Sequence, residues 1–176
     1  MASIFTDRDI AEQLQSGDIG ALETVYRWYC DRLYAYVFSL VRSKEVAEDI
    51  LANGYLSLYR YASSGHRIDN LKAFLYAACR NASYDALNAK KRWKALNDDV
   101  SHTEETVDVE ATVMLRQALL KLPLQEREIV SMHCYAGFKH REIADLLEIP
   151  EGTVRWKYRL ALRKLKSDIG SDEDGR

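Results

Sequence analysis

Between residues 95 and 113 the chain carries six acidic side chains, no basic ones and no apolar periodicity. Asp98, Asp99, Glu104, Glu105 and Asp108 cluster like charge over a stretch without an apolar stripe, the pattern of a solvated linker. Such a segment cannot supply a core, so the 176 residues divide into two small domains, 1–94 and 114–168, with an acidic tail at 169–176 that reads as a frayed terminus. The same division reorganises the charge. The whole chain has 25 basic and 27 acidic residues, a net of −2, which by itself argues against a nucleic-acid partner. Taken by segment, residues 1–95 carry a net of +2, residues 114–167 a net of +5 and the last nine residues a net of −3. Two basic blocks flank an acidic one, and the objection weakens. A chain of such modest charge binds free DNA poorly, because non-specific affinity follows phosphate neutralisation.

Both blocks carry helical periodicity. Leu22, Val25, Tyr26, Tyr29, Leu33, Val37, Leu40 and Val41 recur at i, i+3, i+4 and i+7, as do Ala47, Ile50, Leu51, Tyr55, Leu58 and Ala62. Leu71, Phe74, Leu75, Ala78, Ala82 and Leu87 make a third stripe, and Ser63, Ser64 and Gly65 interrupt the chain before it. No stretch alternates with period two around a hairpin turn, so strands are not expected. The fold class is all-α, two helical domains joined by the acidic linker.

The second block opens with Leu115, Leu119 and Leu122 before Pro123, which cannot continue a helix. Ile129, Val130, His133 and Cys134 predict a short helix ending near Gly137, and Ile143, Ala144 and Leu147 another. Ile149 precedes Pro150 and is pushed toward extended geometry, which makes a tight turn. The last helix starts near Glu151 and sets Val154, Tyr158, Ala161, Leu162 and Leu165 on one face. Two helices joined by a short turn, with small Ala144 at their approach, form a helix-turn-helix layout. The opposite face of the last helix carries Arg155, Trp156, Arg159, Arg163 and Lys166, with Lys157 and Lys164 alongside and no acid between Glu151 and Asp168. A helix of this kind fits the major groove, its N-terminal residues at base edges and its flanking cations at phosphates.

Other classes find little support. No apolar run approaches the roughly 18 residues of a membrane span, and no basic-then-apolar leader opens the chain, so the cytoplasm is the default compartment. Cys30, Cys79 and Cys134 are odd in number and far apart, and read as small apolar residues on or near core faces. With His66, His102, His133 and His140 they make no paired metal-ligand spacing, so neither metal nor cofactor is expected. The absence of a Gly-rich phosphate loop, of GxSxG and of HExxH leaves no independent active site to expect.

The residues carry a family likeness. Leu122-Pro123, Glu126-Arg127-Glu128-Ile129-Val130, Arg141-Glu142-Ile143-Ala144-Asp145-Leu146-Leu147 and Glu151-Gly152-Thr153-Val154-Arg155 resemble region four of bacterial sigma factors. Leu22-Glu23-Thr24-Val25-Tyr26, Asp31-Arg32-Leu33-Tyr34, Ala47-Glu48-Asp49-Ile50-Leu51, Phe74-Leu75-Tyr76, Arg80-Asn81 and Asp85 resemble region two. The ordered pair, with an acidic linker and no further domain, is similar to an extracytoplasmic-function (group four) sigma factor of the sigma-70 family.

The resemblance implies a dissociable subunit of bacterial RNA polymerase that directs the core enzyme to promoters. It implies a −35 contact set of Thr153, Arg155, Trp156, Lys157, Arg159 and Arg163. For the melted −10 element it implies Arg60, Tyr61, His66, Arg67, Lys72, Tyr76, Arg80, Asn81, Lys90, Lys91 and Arg92. Core polymerase binding falls on Glu48, Asp49, Ala52 and Asn53, and an anti-sigma factor is a further expected partner. Aromatic faces and cations suit strand opening, since stacking contributes roughly 1–3 kcal/mol per base; Tyr55, Tyr59 and Tyr76 are equally readable as bundle residues. The chain departs from the family pattern at Ala52-Asn53-Gly54, at Glu148 in place of the turn Gly, at Pro150 in place of a hydroxyl cap, and at Trp156 and Leu160. A stand-alone helix-turn-helix regulator of duplex operators is the alternative reading.

Overall fold

The computed structural model describes residues 7–96 and 117–170, and the linker beyond Leu96, Leu115 and the tail from Ser171 lie outside them. All regular structure among the described residues is helical. A first helix absent from the sequence reading, α1 (Asp7–Gln15), buries Ile10, Ala11 and Leu14 against α2 (Ile19–Val41) and α3 (Lys44–Ser63). Asp18 caps α2, its carboxylate accepting from the Gly20 N–H at 2.8 Å. Helix α2 ends at Arg42, which is left-handed (φ 57°), and Ser43 then caps α3 through the Val46 N–H. After Gly65 (φ 85°) the chain turns to Asn70, whose side chain accepts from Ala73 N–H at 2.8 Å to open α4 (Leu71–Leu96).

The interior stripe of α4 differs from the expected one. Leu71, Leu75, Tyr76, Cys79 and Ser83 are buried, while Phe74, Ala78, Ala82 and Leu87 are only half-buried. The reason is that α4 is covered from two sides, by α2 and α3 and by a residue of the second unit, Phe138, on Tyr76.

A helical stretch at 117–121 leads through Leu122 and Pro123 into α5 (Leu124–Cys134), followed by α6 (His140–Leu147) and α7 (Glu151–Gly170). Helix α7 thus carries the chain through Gly170, past the expected end of the domain. Helix α5 is buried over seven consecutive residues, Glu126 to Met132, because it is sandwiched between α2 on one side and α7 on the other. Ile129, Met132, Ala136, Phe138, Ile143, Ala144, Leu147 and Val154 join the same apolar core as α1–α4. A smaller cluster of Ala118, Leu119, Leu122, Val130, Ala161 and Leu165 closes the far side of α5. The two blocks read from the sequence are therefore closed on each other.

Candidate nucleic-acid and polymerase interface

Helices α6 and α7 build the helix-turn-helix. Glu148 ends α6 in the left-handed region (φ 54°), where a Cβ is strained, and the Ile149 N–H returns to the Ala144 carbonyl at 3.1 Å. The Pro150 carbonyl accepts from the N–H groups of Thr153 and Val154, so the missing hydroxyl cap is replaced by a backbone acceptor. Val154, Ala161 and Leu165 face inward with Tyr158 half-buried, but Leu162 is 41% exposed and does not join them. Arg155, Trp156, Arg159 and Arg163 are exposed on the other side, with Thr153 and Lys157 half-buried at its edge. Arg155 is held at 2.6 Å by Glu151 one turn earlier, and the Arg159 Nε donates to the Arg155 carbonyl at 3.4 Å. Lys157 Nζ lies 5.7 Å from the Trp156 ring. Lys164 instead faces back into the molecule, 2.8 Å from buried Glu126.

The residues expected at the −10 element divide into two groups. Arg60, Tyr61, His66, Arg67, Asn81, Lys90, Lys91 and Arg92 are exposed. Tyr61 stacks on His66 at 4.4 Å and leans on Phe74 at 5.1 Å, and Arg67 pairs with Asp69 at 2.7 Å. Lys72, Tyr76 and Arg80, by contrast, are covered by the second unit. Lys72 Nζ sits 3.9 Å above the Phe138 ring, and burial lowers its pKa below the usual value. Tyr76 is fully buried, between Tyr36 at 5.1 Å and the edge-on Phe138 ring at 5.0 Å, so in this arrangement it is a core side chain. Arg80 Nε donates to Glu128 at 2.8 Å.

Glu128 is the centre of a network that sequence reasoning missed. Its carboxylate is fully buried and accepts from Arg80, from the Tyr84 hydroxyl at 2.8 Å and from the Tyr36 hydroxyl at 3.2 Å. Burial opposes the Arg80 charge, and the neighbouring Glu128 outweighs it, so the guanidinium pKa is raised. Burial, reinforced by Glu128, pushes the Tyr84 hydroxyl up to about 12. Only the polar pattern Glu126-Arg127-Glu128 marked the site in sequence, and it carries no periodicity.

On α3, Glu48, Asp49, Ala52 and Asn53 are all exposed and, being three and four residues apart, form one stripe. Leu56, 45% exposed, extends that stripe by a turn and was not anticipated. Gly54 on the opposite side is buried against α4.

His133 stacks on His140 at 4.9 Å, and Tyr158 packs edge-on to His133 at 4.8 Å and tilted to His140 at 5.0 Å. Burial, then the neighbouring His133 and Arg155, lower the His140 pKa below its usual 6.5. Cys134, beside Tyr158, is exposed, unlike buried Cys79 and half-buried Cys30. Among the described residues no cluster of His, Cys, Asp and Glu is placed to hold a metal ion, and no helix is long and apolar enough to cross a membrane.

A helical bundle followed by a helix-turn-helix with an outward basic face defines a class of two-part DNA-binding proteins. Residues 25–93 match the family described as Sigma-70 region 2, and residues 112–165 the family described as Sigma-70, region 4. The chain belongs to the sigma-70 family, and within it to the extracytoplasmic-function (ECF) sigma factors of transcription initiation. It is 26% identical to the ECF RNA polymerase sigma factor SigM of Mycobacterium tuberculosis, over 94% of this chain and 85% of that one. It is 25% identical to the ECF RNA polymerase sigma factor SigW of Bacillus subtilis, over 90% of this chain and 95% of that one. In fold it is similar to RpoE bound to the anti-sigma factor NepR from Bartonella quintana (TM-score 0.73, 20% identity, 88% and 99% covered). It is similar also to CnrH bound to the cytosolic domain of CnrY (TM-score 0.71, 18% identity, 94% and 98% covered). The region 2 match disposes of the stand-alone regulator.

Proposed function

We propose that this sigma factor programs core RNA polymerase in the cytoplasm, with residues 1–94 acting as region two, 95–113 as the linker and 114–168 as region four. The observation that carries the reading is the α7 face: Arg155, Trp156, Arg159 and Arg163 point outward while Val154, Ala161 and Leu165 anchor the same helix from behind. A helix fixed in this way offers planar guanidinium groups to base edges of a duplex −35 element, with Lys157 and Thr153 at its margin. The exposed aromatics and cations at the end of α3 and in the turn after it (Arg60, Tyr61, His66 and Arg67), with Asn81 and the Lys90–Arg92 cluster, suit the single-stranded −10 element, where rings stack on bases and cations follow the backbone. Glu48, Asp49, Ala52 and Asn53 form the core-binding stripe. The likeness to RpoE, bound to the anti-sigma factor NepR, and to CnrH, bound to the cytosolic domain of CnrY, supports an anti-sigma factor as a further partner.

Run-off transcription with purified core polymerase over a promoter library tests the proposal. Promoter-dependent transcripts that vanish without this chain are expected. A chain that forms no core complex and yields no such transcripts would refute it.

A further inference from the structure

The turn between α3 and α4, residues 64–70, is held at two places. Ile68 is 7% exposed and joins the apolar core that contains Ile10, Ala11 and Leu14 of α1. Two residues earlier, the His66 carbonyl accepts from the Gln15 side-chain amide at the end of α1, at 2.9 Å and across 51 residues of chain. Beside these anchors the turn is not packed down. A cleft of about 340 Å³ opens there, lined by Arg8 and Glu12 from α1 and by Gly65, Arg67 and Asp69 from the turn. Gly65 is left-handed (φ 85°) and a Cβ there would meet nothing within 4 Å, so the chain leading to His66 has space to move into.

The residue that Gln15 holds also sets the position of a ring. His66 stacks on Tyr61 at 4.4 Å with the planes 20° apart, and its Nδ1 lies 3.3 Å from the Tyr61 carbonyl. A stacking platform selects bases by where its plane stands, so whatever fixes the plane also fixes the selection. We propose that Gln15 is a positioning residue for −10 reading: by holding the His66 carbonyl it fixes the Tyr61–His66 pair, and with it the bases that the pair accepts. Helix α1 thereby sets promoter preference from outside the DNA-contacting surface, with no side chain of its own on the strand. The inference rests on reading Tyr61 and His66 as −10 contacts and adds the element that orients them.

The test uses the full chain on core polymerase, in competition transcription among three promoters: the one found by promoter selection, one mismatched at −10 and one mismatched at −35. Gln15→Met removes the donor without adding charge, and Met matches Gln closely in length and helix propensity, so the fold is kept. It is expected to lower −10 discrimination about threefold to tenfold, the range set by the net worth of one hydrogen bond, and to leave −35 discrimination unchanged. Gln15→Lys, which returns a donor to the position, should recover at least half of the loss. A merely structural role would lower output at all three promoters alike. Proton NMR of the free chain gives a second reading, because the His66 ring protons lie under the Tyr61 ring current. They should shift toward their free values in Gln15→Met and back in Gln15→Lys. Equal loss at every promoter, unchanged −10 discrimination, no recovery with Gln15→Lys, or His66 resonances that stay in place overturns the proposal. Tyr61→Ala separates this inference from the reading beneath it. If Tyr61→Ala lowers −10 discrimination and Gln15→Met does not, the role of Gln15 alone falls; if neither does, the −10 assignment of Tyr61 falls with it.

Discussion

Gly54 on α3 faces Cys79 on α4 so closely that a Cβ at position 54 would stand 2.7 Å from the Cys79 sulfur. Cys79 is fully buried and its sulfur points at the Ile50 carbonyl, so it has little room to withdraw. Gly54→Ala is therefore expected to destabilise the chain by about 1–3 kcal/mol, the usual cost of overpacking a tight core. Adding Cys79→Ala should restore part of that loss, because the smaller side chain vacates the contact. Urea unfolding of the two single variants and the double variant measures the coupling, and strictly additive costs would contradict the contact.

Leu56 shares its exposed face with Glu48, Asp49, Ala52 and Asn53. An exposed Leu inside an otherwise polar stripe is the natural apolar anchor of a docking surface. Leu56→Glu should leave folding stability within about 0.5 kcal/mol, as surface changes do. Its affinity for core polymerase should fall tenfold or more, read by competition against the wild-type chain. Unchanged affinity would remove Leu56 from that surface.

These residues show where sequence was informative. Apolar spacing revealed α2, α3 and the helix-turn-helix because part of each buried face recurs every three or four residues, but α2 is buried without a break from Tyr36 to Val41, where α4 and α5 both cover it, and the expected Tyr26 is exposed. Helix α1 went unread because its buried set is only Ile10, Ala11 and Leu14 within a short polar segment. Tyr76 and Arg80 were read as DNA contacts on α4, and their coverage was invisible since what covers them, Phe138 and Glu128, lies far along the chain. Periodicity reports that a face is buried and not by what. Glu126, Arg127 and Glu128 are the clearest case: charged residues are seldom buried without partners, and theirs come from Lys164, the Leu120 carbonyl and Arg80. The α7 face was legible because it is a surface, and an uninterrupted basic run on one side of a helix needs no tertiary partner to be seen.

The His140 site predicts a pH dependence. Its folded pKa lies below the usual 6.5, chiefly through burial, with His133 and Arg155 adding like charge and Glu151 acting in the opposite sense. Well above pH 6.5 the ring is neutral in both states. As pH falls below that value the unfolded chain takes up the proton first, so stability contributed by this site is lost on acidification. Nε2 of His140 is buried without a hydrogen-bond partner among the described residues, so a ring with no polar atom fits the same space. His140→Phe should thus flatten the stability profile between about pH 5 and 7 relative to wild type. Parallel profiles for the two chains would show that His140 does not carry the effect.

Arg155 and Arg159 give the sharpest test of promoter reading. Both are exposed on α7, but Arg155 is engaged by Glu151 at 2.6 Å, and Arg159 leans on the Arg155 carbonyl. A guanidinium that makes a bidentate base contact contributes about 1–3 kcal/mol of discrimination, whereas one that meets phosphate contributes to all sequences alike. Arg159→Ala is expected to lower the preference for the −35 sequence found by promoter selection by about that amount. Arg155→Ala should do the same only if Arg155 leaves Glu151 to reach the DNA. Glu151→Gln separates these cases, since it releases Arg155 without removing it and should then strengthen −35 preference. Competition transcription between matched and mismatched −35 promoters reads all three variants. A uniform loss at both promoters assigns the altered arginine to phosphate and takes it out of the base-reading set.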